Sequence, residues 1–410
     1  MNTSKQERPH ADIFTAIDAQ IEAEIQSLIE LRHVLHEHPE LSRAEHETTS
    51  RIERALADEA VVTRRGPGGV GLIVDSGPST GPRICVRADI DALALTESTD
   101  EPFASRRPGL MHACGHDVHT AVVLGVTKAL SRLAPELPLR FLFQHAEEAT
   151  PGGALDLVAA GAMTDVRAIL TLHCDPSRDV GRVGLQSGPL TAAADVFEVT
   201  LKGTGGHGAR PHETQDLVLC ATQAIAALYH AFDRGIDARL PLSISVGVLR
   251  AGLTSPNVIP SEVYFAGTVR TPDAQARAQV PFIIERVLGG LGQMWGISHS
   301  LDFRRGAPPV HNAPYVVAAL TDAVADVLGF EAIDPPSLPS MGGEDFAWYL
   351  PHAPGALLRI GTGKGSPLHS ATFRADDRAI GLSSKILARA AIILALAPEA
   401  LIDAARPPER

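Results

Sequence analysis

Apolar residues recur at Ile13, Ile17, Ile21, Ile25, Ile29 and Leu35, a spacing that gathers them on one stripe of a helix, and Pro39 closes the run. The pattern predicts an amphipathic helix over residues 12–38. Short apolar runs then alternate with helical periods. "GLIVDSG" (71–77), "RICVRADIDAL" (83–93), "LRFLFQHAEEA" (139–149) and "AILTLHC" (168–174) read as strands, while residues 119–133 and "GGALDLVAAGA" (152–162) read as helices. Such alternation predicts an α/β sheet, in which chemistry gathers where strands end.

From about Asp195 the order changes. "DVFEVTLKG" reads as a strand and "QDLVLCATQAIAALYHAF" as a helix; "LPLSISVGVL" and "SEVYFAGTVRT" follow as strands, "AQARAQVPFIIERVLGGL" as a helix and "HSLDFRRG" as a strand. This β-α-β-β-α-β order belongs to a ferredoxin-like split unit. Helical patterns near residues 314–328 and 380–396 resume the first grammar. The predicted architecture is an α/β sheet domain, residues 1–190 and 307–410, interrupted by an inserted ferredoxin-like α+β domain at 191–306.

Composition narrows the classes. The chain has 410 residues, 45% of them hydrophobic and 20% charged, which suits two cored domains. A formal net charge of −12 argues against a nucleic-acid partner. Residues 1–20 lack the apolar core of a secretory signal, and no uninterrupted apolar run of membrane-spanning length is read, so a cytoplasmic chain without a membrane partner is expected. Cys85, Cys114, Cys174 and Cys220 stand singly, which speaks against a disulfide framework.

Candidate chemistry is densest in "GLMHACGHDVHTAVVLG" (109–125). Cys114 and His116, two apart, can aim at one point from an extended segment, and a borderline-soft ion such as zinc accepts both thiolate and imidazole. The alternative makes Cys114 a small buried hydrophobe and the histidines a hydrogen-bonded cap on the following helix. In "FQHAEEA", Glu147 and Glu148 end an apolar strand, where paired carboxylates are costly unless something positive receives them. One can hold an ion while the other takes a proton from water; otherwise both are exposed loop acids. His173 follows the strand "AILTLHC" directly, and His369 follows the Gly-rich "IGTGKG". Either histidine alone reads as structural, but four such clues at strand ends of one domain point to a metal site. His33 and His36, three apart on the first helix, could share a metal, yet no third ligand accompanies them.

The order of "LHEHPELS", "RADIDALAL", "MHACGHDVHT", "AEEA", "LH" before "DP", "GTGGHGARPH", "NVIP", "GTVRT", "GGEDFAWY" and "LHSATF" resembles, nearly end to end, the amidohydrolase branch of the dinuclear metallo-aminoacylase and carboxypeptidase superfamily. That branch includes hippurate hydrolases, indoleacetyl-amino-acid hydrolases and N-acyl amino acid deacylases. The resemblance implies two divalent ions per subunit, zinc or manganese, with cobalt and nickel as alternatives. It makes Cys114 the bridging ligand, gives His116 and His173 to one ion and Glu148 and His369 to the other, and makes Glu147 the general base. It leaves Asp117 to orient an imidazole, and His112 and His119 to supporting roles. It makes His207 a stabiliser of the carbonyl oxyanion and gives Asn257 and Arg270 the substrate carboxylate; the planar fork of Arg270 suits a carboxylate, although a surface ion pair is the plainer use of such an arginine.

The implied activity is hydrolysis of the amide bond of small-molecule N-acyl amino acids, in a catalytic α/β domain whose inserted domain serves as lid and homodimer interface. The rivals are a metallo-dipeptidase and a metal-dependent binding protein without turnover. Relatives usually carry proline where this chain has His145, which either reaches the metal edge, tunes Glu147 or is a tolerated substitution.

Overall fold

The computed structural model describes residues 11–252, 255–335 and 338–398. These fall into two compact units, one within Met1–Gly188, His311–Ser337 and Asp345–Arg410, the other within Pro189–Val310 and Leu338–Glu344. The second unit therefore takes in the expected insert and also a short later segment that the sequence pattern left with the sheet domain.

The first unit opens with α1 (Ala11–Glu37), α2 (His46–Ala55), β1 (Val61–Arg65), β2 (Leu72–Ser76) and β3 (Arg83–Asp89). It continues through α3 (His116–Leu133), β4 (Leu139–Gln144), α4 (Gly153–Ala159), β5 (Val166–Asp175) and the two-residue β6 (Val183–Gly184). The second unit holds β7 (Ala193–Lys202), β8 (Gly206–His207), α5 (Leu217–Gly235), β9 (Ser243–Ala251), β10 (Val258–Ile259), β11 (Glu262–Thr271), α6 (Ala274–Trp295) and β12 (Ser298–Arg304). The chain then returns to the first unit with α7 (Pro314–Leu328), β13 (Gly355–Gly361) and α8 (Arg378–Leu396).

In the first unit a seven-stranded sheet runs β1-β2-β4-β3-β5-β13-β6. The central pairs β4/β3, β3/β5 and β5/β13 are parallel, and the antiparallel pairs lie at the margins. Strands β3 and β4 are buried at every position, the two-sided burial expected of strands in a parallel sheet, with Arg83, Arg87, Asp89, Arg140 and Gln144 buried among the apolar positions. Helix α3 packs on α1 and α8 and contacts β3, β4 and β5. Its start is three residues earlier than the apolar period predicts, because Gly115 adopts a left-handed conformation (φ 86°) at the N-cap and lets His116 and Asp117 form the first turn. A Cβ there would sit 2.6 Å from Cys174 Sγ.

Helix α8 corrects the reading that the chain has no stretch apolar and long enough to cross a bilayer. By length and composition it has one, and 67% of it is buried inside the protein. Ile380, Leu387, Ile392 and Leu394 belong to the core of the first unit, and α8 packs on α1, α3 and α7. Its apolar character fills that core, where each buried aliphatic side chain contributes roughly 1.5–3 kcal/mol.

The second unit is an antiparallel sheet in the order β9-β11-β7-β12, the ferredoxin-like arrangement. Alternate residues of β7 and β11, among them Phe197, Val199, Leu201, Val263, Phe265 and Val269, form its core with α5 and α6. Asp216 and Asp273 cap those helices through side-chain bonds to the N–H groups of Leu219 and Ala276.

Candidate active site

The C-terminal ends of β3, β4 and β5 and the first turn of α3 converge on one cluster. Ligand atoms of Cys114, His116 and His173 lie within 4.8 Å of one another, and so do those of Cys114, Glu148 and His369. These triads share only Cys114. A third group, His116, Glu147 and Glu148, overlaps both, so the base candidate stands beside the ligand candidates.

Hydrogen bonds turn the donor atoms inward. His116 Nδ1 lies 3.0 Å from the carbonyl of Asp91 and 3.2 Å from its carboxylate, which leaves Nε2 buried outside hydrogen-bonding geometry. His173 Nδ1 donates to the Cys174 carbonyl at 2.8 Å, and its Nε2 faces Cys114 Sγ at 3.5 Å. His369 Nε2 lies 3.1 Å from Glu148 Oε1, yet that oxygen is in no hydrogen-bonding geometry. The imidazoles of His116 and His173 are each fixed through Nδ1, on the side away from the cluster, as metal-ligating histidines are.

The electrostatics fit a cation. Burial pushes the Cys114 thiol well above its usual range, with His116 only partly offsetting it. Burial likewise pulls His173 down to about 4 and so keeps it a neutral donor. Burial opposes charge on His116, but Asp89, Cys114 and Asp91 outweigh it and raise that pKa. Sulfur, imidazole nitrogen and carboxylate oxygen together are the donor set of a borderline-soft divalent ion, which would supply the positive charge that buried thiolate and carboxylate lack.

Residues outside the candidate ligand set support the cluster. Asp89 Oδ1 lies 2.5 Å from His119 Nδ1, and His119 Nε2 accepts the N–H of Cys174 at 2.9 Å; His119 thus holds the backbone beside His173. The wholly buried Arg87 donates to Asp89 at 2.6 Å, to Gln144 at 2.9 Å and to Asp345 at 2.9 Å, clamping the ends of β3 and β4 to Asp345. Asp91 Oδ2 also accepts the N–H of Glu148 at 3.0 Å.

The structure supplies partners for three residues whose roles the sequence left open. Asp117 orients an imidazole, but that of His36 (2.9 Å) on α1, together with Arg32 (2.8 Å); the carboxylate that orients His116 is Asp91. His33 and His36 pair with different carboxylates, Asp377 for the first and Asp117 and Glu97 for the second, and the shared-metal alternative falls. His145 Nε2 is taken by Asp156 at 3.2 Å.

The remaining candidates belong to the second unit. The short β8/β10 ladder pairs His207 with Val258, and Gly208 N–H donates to the Asn257 carbonyl at 2.7 Å, so His207 and Asn257 are backbone neighbours. Arg270, on β11, donates through Nη1 to the Met341 carbonyl at 3.1 Å.

An α/β sheet unit that ends in a cysteine, histidine and glutamate cluster, with a further glutamate beside it, defines a metal-dependent hydrolase. The chain belongs to peptidase family M20/M25/M40, which matches residues 85–392, and its chemistry is that of the amidohydrolases in it. It is 39% identical over 363 residues to N-acetyl-L-cysteine deacetylase of Bacillus subtilis, covering 88% of this chain and 86% of that protein. It is 40% identical over 288 residues to N-acyl-L-amino acid amidohydrolase of Geobacillus stearothermophilus, covering 70% and 78%. A Bacillus subtilis dinuclear metal-binding peptidase of the M20 family superposes with a TM-score of 0.81 at 36% identity, over 91% of this chain and 99% of that one. A longer Rhodococcus jostii relative, 40% identical over 363 residues, is spanned over only 46% of its length.

Proposed function

We propose that this chain hydrolyses N-acyl amino acids that bear a free carboxylate, releasing a carboxylic acid and an amino acid. The observation that carries the reading is the pair of ligand triads sharing Cys114, with Glu147 beside Glu148. In this reading the residues would hold two divalent ions: Cys114 would be common to both sets, with His116 and His173 completing one and Glu148 and His369 the other. Divalent ions held by these residues would supply Lewis acidity, lowering the proton affinity of water and polarising the carbonyl. Glu147 takes the proton from the attacking water and returns it to the leaving nitrogen. His207 stabilises charge on the carbonyl oxygen, and Asn257 and Arg270 hold the carboxylate of the amino acid half.

The relatives named as an N-acetyl-L-cysteine deacetylase and an N-acyl-L-amino acid amidohydrolase support this substrate class. The proposal extends to a cytoplasmic homodimer assembled through the second unit. Four free cysteines suit a reducing compartment, and β9, at the margin of its sheet and largely exposed along its length, offers an edge for pairing.

The test is turnover of acetyl, benzoyl, indoleacetyl and long-chain acyl amino acids, with dipeptides alongside. Each is measured on chelator-stripped protein and after adding zinc, manganese, cobalt or nickel. Acyl amino acid hydrolysis that appears only with metal supports the reading; dipeptide cleavage alone would give the site to a dipeptidase, and full activity in stripped protein would remove the ions from it.

A further inference from the structure

Four non-glycine residues among those described have positive φ: Arg43, Ala146, Asp165 and His369. Ala146 (φ 52°) is the one that immediately precedes Glu147. A left-handed alanine is disfavoured by contact between its Cβ and the backbone, and it persists only where neighbours over-determine it. Strand β4 ends at Gln144, and this residue turns the chain out of the strand direction before the two glutamates.

The neighbour that holds it comes from far away in sequence. Glu45, wholly buried at the N-cap of α2, accepts the Ala146 N–H through Oε1 at 2.7 Å. It does not cap its own helix by a side-chain bond, and its other oxygen is buried with no hydrogen-bond partner. A buried carboxyl with one oxygen left unpaired is costly; its other oxygen takes the N–H of this strained peptide at 2.7 Å, with the amides of Glu45 itself and Arg43 also acting on the carboxyl. Burial, aided by Asp91, pushes its pKa up to about 7 against the pull of the amides; in either protonation state an oxygen remains to accept the Ala146 N–H. On the other side, the Ala146 carbonyl accepts the Gly153 N–H at 2.9 Å, where a Cβ on Gly153 would meet the His145 carbonyl at 1.9 Å. Glu148 has its own anchor, Asp91.

We propose that Glu45 is a positioning residue for the general base: by capturing the Ala146 N–H it holds Ala146 in the left-handed conformation that aims Glu147, separately from the anchoring of Glu148. This rests on the reading of Glu147 as the base. Because Glu148 is tied to Asp91, loss of Glu45 leaves the metal ligands in place and disturbs Glu147, so kcat falls while metal content and KM hold.

The experiment is a double cycle. Glu45→Leu keeps the volume and removes the acceptor; Glu45→Gln keeps both. Each is made in the wild type and in Ala146→Gly, which adopts positive φ at no steric cost. Metal content, kcat and KM are measured on the metal-loaded enzyme. Glu45→Leu is expected to lower kcat about tenfold to a hundredfold, the scale of a small misplacement of a reacting group, and Glu45→Gln by no more than about threefold. Ala146→Gly should raise the kcat of Glu45→Leu about fivefold or more, and lower that of the wild type slightly.

Absence of that rescue, or loss of metal in step with kcat, overturns the proposal. So does a Glu45→Leu chain that fails to fold and is not restored by Ala146→Gly, since Glu45 would then serve folding alone. Glu147→Gln separates the two levels. If it still turns over at the wild-type rate, the base assignment itself falls; if it is inactive while Glu45→Leu is fully active, only the inference about Glu45 falls.

Discussion

His116 Nδ1 sits 3.0 Å from the carbonyl oxygen of Asp91 and 3.2 Å from its carboxylate, so one aspartate fixes both the tautomer and the rotation of the imidazole. The same residue also holds the Glu148 N–H. Asp91→Ala is expected to weaken metal binding about tenfold to a hundredfold, measured by competition with a chromophoric chelator. Unchanged affinity would mean that α3 alone sets the ring.

Glu147→Gln keeps the shape and removes the proton carrier. Metal content should stay near that of the wild type while kcat falls by roughly two to four orders of magnitude. Parallel loss of metal would make Glu147 a ligand and reverse the division of labour between the adjacent glutamates.

Cys114 belongs to both triads, and burial keeps its thiol protonated unless a cation is present. Cys114→Ala should lower metal stoichiometry and abolish turnover, and bound metal should slow alkylation of the thiol. A metal-replete, active Cys114→Ala protein would reduce the cysteine to packing.

Arg270 is tested with substrates. A charge-assisted carboxylate contact is worth roughly 1.5–3 kcal/mol, about tenfold to over a hundredfold. Wild type should prefer free acids over the corresponding amides by that factor, and Arg270→Ala should erase the preference while barely affecting the amides. Equal losses on both would leave Arg270 the structural task of holding the Met341 carbonyl.

His36 predicts a pH dependence of stability. Burial opposes charge on the ring, but Asp117, with Glu97, raises its pKa from 6.5 to about 9. A raised folded-state pKa stabilises fully below about pH 6.5, progressively less up to about pH 9 and not beyond, with on the order of 3 kcal/mol at stake. In denaturant unfolding, the difference between wild type and His36→Gln should be largest near pH 6 and shrink towards pH 10. A constant difference would remove the charged imidazole from the account.

The helices with clean apolar periods were legible in the chain: α1, α7 and α8 fall within two or three residues of their predicted spans. So were Cys114, His116, Glu147, Glu148, His173 and His369 as chemically unusual residues, although Cys114 and His116 stand at the start of α3 and His369 in the loop well beyond β13 rather than at strand ends. Asp89, Asp91, Glu45 and Asp345 were not singled out. Each is an ordinary carboxylate in its local sequence and becomes informative only when folding buries it opposite a distant imidazole, guanidinium or amide. β4 ended earlier than its apolar run suggested because the positive φ of Ala146 depends on Glu45, a contact between residues 101 positions apart. Asp117 was legible as a partner of an imidazole, but not of which one: α1 delivers His36, together with Arg32, to it.

The insertion of the second unit also sets the order in which the cluster can assemble. His369 docks by donating its backbone N–H to the Ala113 carbonyl at 2.8 Å, and it is made after the whole of β7–β12. Synthesis runs from the N-terminus, and units fold as they emerge. The nascent chain therefore holds Cys114, His116, Glu148 and His173 through the time taken to translate an entire domain before the last member arrives. The proposed ligand set is therefore complete only once His369 has been made, after the entire second-unit ladder β7–β12.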